Sequence, residues 1–158
     1  LRTKAAVEIK DNISNVIYAF TLSPEEVVSR YEKNTAPLKA RISAAASAIE
    51  NGAKVRLCFD PVIKIPGWKD AYKRLVDMTA ASIDFPKLTD VSVGTFRISA
   101  DYLNKMRKAY PGSEVAWYPY VIKDGVAQYE PETDRGMQEF VCAALGEHIG
   151  KEKIFTWN

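Results

Sequence analysis

The stretch Arg56–Trp68, RLCFDPVIKIPGW, decides how this chain is read. It begins as a largely apolar, strand-like run, breaks at Asp60-Pro61, and passes through Pro66-Gly67 before a helical pattern starts. A strand that ends in an acid and a proline, then a loop, then a helix, is one βα unit. Parallel α/β folds keep their ligands beyond the carboxyl ends of the strands. Asp60 is therefore a candidate site residue, although aspartate before proline is also an ordinary turn former.

Similar units lie on either side. Asn15–Thr21 is β-branched and aromatic, hence a strand, and SPEE follows it. Ser23 fits the N-cap of the next helix, with Pro24 in its first turn and Glu26 in the reciprocal capping position. That helix runs to about Lys33. A second, from Pro37 to about Asn51, carries Leu38, Ile42, Ala45, Ala46 and Ile49 on one face, with Gly52 as its C-terminal glycine. The central unit is strand Lys54–Asp60 and a helix from about Lys69 to Ala81. The third is strand Thr89–Thr95, an N-cap at Ser99, and a helix ending at Pro111-Gly112. Then the pattern changes. SEVAWYPYVI and VAQYE read as a hairpin joined by KDG, followed by a helix from about Glu132 to Leu145 and a short strand, KIFTW.

Repeated βα units predict three adjacent parallel strands with helices on one side and right-handed crossovers. The strands are nearly continuous in apolar residues, which predicts burial on both faces. A doubly wound sheet would carry a glycine-rich phosphate loop after an early strand, and none is present. Three units alone do not close an eight-stranded barrel. The residues leave a small open sheet or a piece of a larger barrel.

Composition narrows the class. The chain has 158 residues, 47% hydrophobic and 27% charged, the balance of one soluble domain. A net charge of +2 is too small to argue for nucleic acid through bulk electrostatics. No apolar run reaches the roughly 20 residues of a membrane helix, so no membrane partner is expected. The two cysteines, Cys58 and Cys142, lie far apart, which predicts a reducing, cytoplasmic setting and no metal site of clustered cysteines.

The order and spacing of several motifs resemble the carboxyl-terminal half of the spore photoproduct lyase family of radical S-adenosylmethionine (radical SAM) proteins. They are RTK at residues 2–4, TLSPEEV at 21–27, Arg41-Ile42, FDPVIKIPGWKDAY at 59–72 and SVGTFR at 92–97. The similarity runs to about residue 122 and continues more loosely beyond. It implies the last three βα units of a (β/α)6 partial TIM barrel at 1–112, with a dependent carboxyl-terminal extension at 113–158. It also implies DNA repair by reversal of a thymine dimer, using S-adenosylmethionine and a [4Fe–4S] cluster. The family's cluster sits on a Cys-x-x-x-Cys-x-x-Cys loop in the other half, and two distant cysteines do not supply such ligands. The expectation is a piece of a longer enzyme, inactive alone, with no catalytic residue or metal ligand in this chain.

By resemblance, Lys4, Ser23, Arg41 and Asp60 are candidates for the cofactor and Arg97 for substrate phosphate. Each has a plainer reading: a solvated lysine, a helix cap, a solvated helix arginine, a turn residue, a surface ion pair. Trp68, Tyr72, Trp117, Tyr118 and Tyr120 offer stacking surfaces or core. Cys58 reads as a small buried hydrophobe and His148 as a surface or capping residue. Implied partners are damaged DNA and an external electron donor. Exposed sheet edges predict a non-native oligomer. Two other functions remain: a radical enzyme of the same family with another substrate, or a non-catalytic α/β binding module.

Overall fold

A computed structural model of the chain describes residues 15–157, so Lys4 lies outside the described residues. In chain order the elements are β1 (Ile17–Thr21), α1 (Glu25–Tyr31), α2 (Leu38–Glu50), β2 (Lys54–Val62), α3 (Trp68–Ala80), β3 (Asp90–Thr95), β4 (Arg97–Ser99), α4 (Ala100–Ala109), β5 (Val121–Lys123), β6 (Val126–Gln128), α5 (Pro131–Gly146) and β7 (Ile154–Thr156). Short 3-10 turns at Phe85–Lys87 and Lys151–Lys153 lead into β3 and β7.

The three expected strands are adjacent and parallel, and β7 adds a fourth, in the order β1-β2-β3-β7. The register pairs Thr21 with Cys58, Cys58 with Ser92, and Ser92 with Phe155. Side chains alternate across a strand. One face therefore carries Phe20, Val55, Leu57, Phe59, Val91 and Val93, which join Leu38, Ile42, Leu75, Val76, Val141 and Leu145 of the helices in the main core. The other face carries Ala19, Thr21, Arg56, Cys58, Asp60, Asp90, Ser92 and Gly94.

For β1 and β2 this corrects the expectation of strands buried on both faces, which β3 meets. In β1 and β2 only alternate residues are buried, whereas β3 is buried throughout. The open face is kept polar and small, and Arg56 and Asp90, directly opposite each other in register, form an ion pair across it. Cys58 is half-buried on that face rather than enclosed in the core.

Local signals explain the helix ends. Gly52 has φ 79°, its amide donates to the Ile49 carbonyl, and the Ala53 amide donates to the Ala48 carbonyl. That pair of bonds is the Schellman closure of α2. The Ser99 hydroxyl accepts from the Tyr102 amide at 3.3 Å and caps α4. Ser23 does not cap α1. The cap position falls on Pro24, with no side-chain hydrogen bond, and Ser23 is buried between β1 and the helix. The proline's fixed φ places the turn one residue later than the serine signal suggests.

The hairpin forms at Asp124-Gly125, where both residues have positive φ. Its first strand is shorter than expected, because 113–120 is irregular. Tyr118 and Tyr120 there pack on Tyr129 at 4.9 and 5.2 Å between ring centroids instead of alternating along a sheet. The β6 strand also pairs with β4, making a small antiparallel sheet β4-β6-β5. Among the described residues no helix is long and apolar enough to cross a membrane.

Candidate functional site at the strand ends

The carboxyl ends of β1, β2 and β3 open onto a cleft of about 1890 Å³. Thr21, Asp60, Pro61 and Phe96 form its strand-end floor, with Arg41 on one wall and the loop 110–115 on the other.

Asp60 is placed by its neighbours. It precedes a cis peptide bond to Pro61, in the irregular stretch of β2 between Phe59 and Val62. Its carboxylate lies over Gly94 of β3. A Cβ added at Gly94 would come within 2.9 Å of Asp60 Cγ, so only glycine leaves the acid this position. Arg97, just past β3, brings Nη2 to 4.0 Å from Asp60 Oδ2, with both side chains partly exposed. Asp60 and Arg97 are thus brought together at one end of the sheet.

The loop after Asp60 is pinned by two phenols. Tyr72 of α3 accepts from the Ile63 amide at 2.8 Å, and Tyr129 accepts from the Lys64 amide at 2.9 Å. Burial raises the pKa of both hydroxyls, keeping them neutral. The aromatic tail of the FDPVIKIPGWKDAY motif therefore serves the loop. Tyr72 is core, and Trp68 packs on Phe140 at 5.2 Å between centroids. Tyr120 lies among Phe96, Tyr118 and Tyr129, its hydroxyl closed off from solvent without a well-formed hydrogen bond, and burial pushes its pKa up. Of the five stacking candidates, Trp117 is the most exposed, with the Arg107 guanidinium 5.2 Å from its ring centroid.

Arg41 reaches the cleft, but its donors are engaged within the chain. Nε donates to the Ala36 carbonyl at 2.8 Å, Nη1 to the Thr21 carbonyl at 3.3 Å, and Nη2 to Thr35 Oγ1 at 2.7 Å and Glu32 at 2.5 Å. The side chain ties the 32–36 loop to the end of β1. Ser23 lies at the same end of β1 and is 1% exposed. His148, just past α5, is half-buried: its amide donates to the Leu145 carbonyl, and its Nε2 is closed off from solvent, 3.9 Å from Asp77.

Sequence reasoning passed over the support of β3. Thr95 donates to Asp134 of α5, whose carboxylate also accepts from Gln138 at 3.2 Å. Asp134 and Gln138 are one helical turn apart, a spacing visible in the sequence, but nothing there pairs them with Thr95.

A parallel sheet covered by helices on one face defines an α/β protein, and an acid and an arginine stand at its carboxyl edge, the end where parallel α/β folds place ligands. The family model for spore photoproduct lyase matches residues 5–117, and the chain belongs to that family. No curated protein matches the chain. Among solved structures, a spore photoproduct lyase double mutant with bound AdoMet and dinucleoside spore photoproduct superposes with TM-score 0.75 at 16% identity. Spore photoproduct lyase complexed with dinucleoside spore photoproduct gives TM-score 0.73, also at 16% identity. Each alignment covers 89% of this chain and 43% of the solved chain, so the chain spans less than half the length of these relatives.

Proposed function

We propose that this chain is the carboxyl-terminal half of a radical SAM enzyme that repairs damaged DNA by reversing a thymine dimer. The observation that carries the reading is the family match over residues 5–117, which includes the strand end where Asp60 lies over Gly94. In this reading β1 to β3 and their helices are the second half of a (β/α)6 partial barrel, and 113–158 is an extension dependent on it. The open face is the barrel interior.

The cleft suits a polar, partly apolar ligand such as S-adenosylmethionine. Asp60 accepts from the ligand's amino or hydroxyl groups, and the Pro61–Ile63 turn supplies an apolar wall. Ser23 acts at the end of β1, and Lys4, outside the described residues, pairs with the cofactor carboxylate as the family resemblance implies. Arg41 contributes by holding the wall, since its donors are engaged, and Arg97 meets the phosphate of the lesion. The [4Fe–4S] cluster does not fit this chain. Its two cysteines lie on β2 and α5, and thiolate ligation needs converging cysteines. Reductive cleavage of the cofactor and hydrogen abstraction are the chemistry supplied by the bound groups, driven by an external electron donor. These residues bind, orient and exclude water. Alone, the chain carries no turnover.

The test is complementation. This chain is mixed with a cluster-bearing amino-terminal half from the family, anaerobically, with a reductant and dinucleoside spore photoproduct. Repair is expected only when both halves are present. A stable complex of the halves without repair, beside an active full-length control, overturns the reading. Cofactor cleavage without repair would instead point to the same chemistry on another substrate.

A further inference from the structure

We infer that Phe155 and Trp157 form a stacking platform for a nucleobase on the open face of the sheet, an inference that rests on the reading of the strand ends given above. The register fixes the geometry. Ser92 pairs with Phe155 and Val93 with Thr156, and the Trp157 amide donates to the Val93 carbonyl at 3.2 Å. Trp157 thus stands level with Gly94. Ile154 packs against the main core, so alternation turns Phe155 and Trp157 to the opposite, open face. They are 51% and 49% exposed. Trp157 lies one residue past β7 and stays bonded to β3 through its amide, so the two rings follow each other at about 6.6 Å along one face.

What lies beside them makes a site rather than a loose apolar edge. The adjacent strand offers Ser92 and Gly94, which are too small to wall off the rings. Beyond Gly94 stands the Asp60 carboxylate, and Arg97 lies 4.0 Å from it. A planar base on the indole would meet an acceptor for its N–H edge, and a base of the lesion would also meet a cation for its phosphate. Two other exposed rings carry cations. Trp117 has Arg107 over its ring at 5.2 Å and Tyr110 has Lys33 at 5.6 Å.

Position argues the same way. β7 is the sheet edge farthest from β1. In the proposed barrel the remaining strands add at the β1 edge, which leaves β7 as the free edge of the sheet. The shared chemistry is a nucleobase, and two sources would supply it: a pyrimidine of the lesion or the adenine of the cofactor.

The experiment follows the indole N–H resonances of Trp68, Trp117 and Trp157 in the 15N-labelled chain, assigned with Trp157→Phe and Trp117→Phe. Thymidylyl-thymidine is titrated in one arm and adenosine in the other. The expected result is a saturable shift of the Trp157 resonance. Trp157→Ala should weaken binding roughly tenfold or more, while Trp157→Phe stays within a few-fold. A response to thymidylyl-thymidine assigns the platform to the substrate. A response to adenosine alone keeps the platform and assigns it to the cofactor. No Trp157 shift with either probe at millimolar concentration overturns it, as does an unchanged affinity in Trp157→Ala with an unchanged melting temperature. The readout is binding to this chain, so it is separable from repair. Repair without the Trp157 response sinks the platform alone, and the response without repair sinks the enzymatic reading alone.

Discussion

The two faces of the parallel sheet are made by alternate residues of the same strands, yet they differ in almost every physical respect. Val55, Leu57 and Phe59 of β2 are fully buried under the helices, while Arg56, Cys58 and Asp60 between them stay partly exposed. The covered face draws its stability from apolar area removed from water. On β1 and β2 the open face contributes little burial, and it holds groups that would be costly under a helix layer: the Arg56–Asp90 ion pair and the Asp60 carboxylate. One strand can thus be scaffold and site at once, and a one-residue slip would exchange the two roles.

The sharpest way to break that comparison is to truncate neighbours in β2. Leu57→Ala should cost about 2–5 kcal/mol, because it opens a cavity in the main core. Cys58→Ala, one residue along, should change stability by well under about 1 kcal/mol. Urea unfolding of both variants checks this. Similar costs at the two positions would mean that the open face is packed in solution, by a second copy of the chain or another partner. Light scattering distinguishes these, and self-association through the exposed β1 edge alone, leaving the open face free, is the expected state of the isolated chain.

The same alternation marks where the sequence was readable. β1, β2 and β3 announce themselves by β-branched and aromatic residues, and Gly52, Ser99 and Asp124-Gly125 mark their turns through the backbone geometry or cap each requires. The open face was misread for a physical reason. Ala19 and Cys58 are small or weakly polar, so a strand with one solvent-facing side scores as continuous apolar sequence, whereas β3 is buried on both faces as expected. The Ser23 cap was misplaced by one residue because serine and proline both signal a helix start, and the proline took the cap position.

Pairings distant in sequence were invisible. Nothing local joins KIFTW to β3, or Thr95 to Asp134, or the Tyr129 hydroxyl to the Lys64 amide. At the site, the Asp60 candidacy came from its place after a strand. Its dependence on Gly94 needed the register. Arg41 looked like a free fork because the four groups that engage it include the Thr21 carbonyl, 20 residues away.

A second prediction sharpens the contrast on the open face itself. Gly94→Ala puts a methyl against the Asp60 carboxyl, whose Cγ would stand 2.9 Å away. Overpacking of this kind costs about 1–3 kcal/mol. If the clash with Asp60 is the cause, Asp60→Ala in the Gly94→Ala background recovers most of it. The double-mutant cycle then gives a clear coupling energy. Additive effects would mean that Asp60 swings aside without cost, and that the acid is not held over β3.

The smallest effect belongs to the outermost layer of the covered face, where the helices meet water. Glu26 of α1 has its carboxyl held below the usual range, first by a hydrogen bond with its own backbone and then by Arg74 of α3, 2.5 Å away. Both side chains are well exposed, so the pair is screened and worth no more than about 1 kcal/mol. The sign follows from the depressed pKa. The unfolded chain binds the proton at higher pH than the folded one, so the contribution is fully present above the ordinary glutamate pKa and is lost as pH falls through the folded value. Glu26→Gln should therefore lower stability slightly at pH 7 and by progressively less as the pH is taken below the ordinary glutamate pKa, followed by urea unfolding across that range. A deficit that persists in acid would show that the glutamate acts by packing at the start of α1. The covered face would then extend further outward than its core residues indicate.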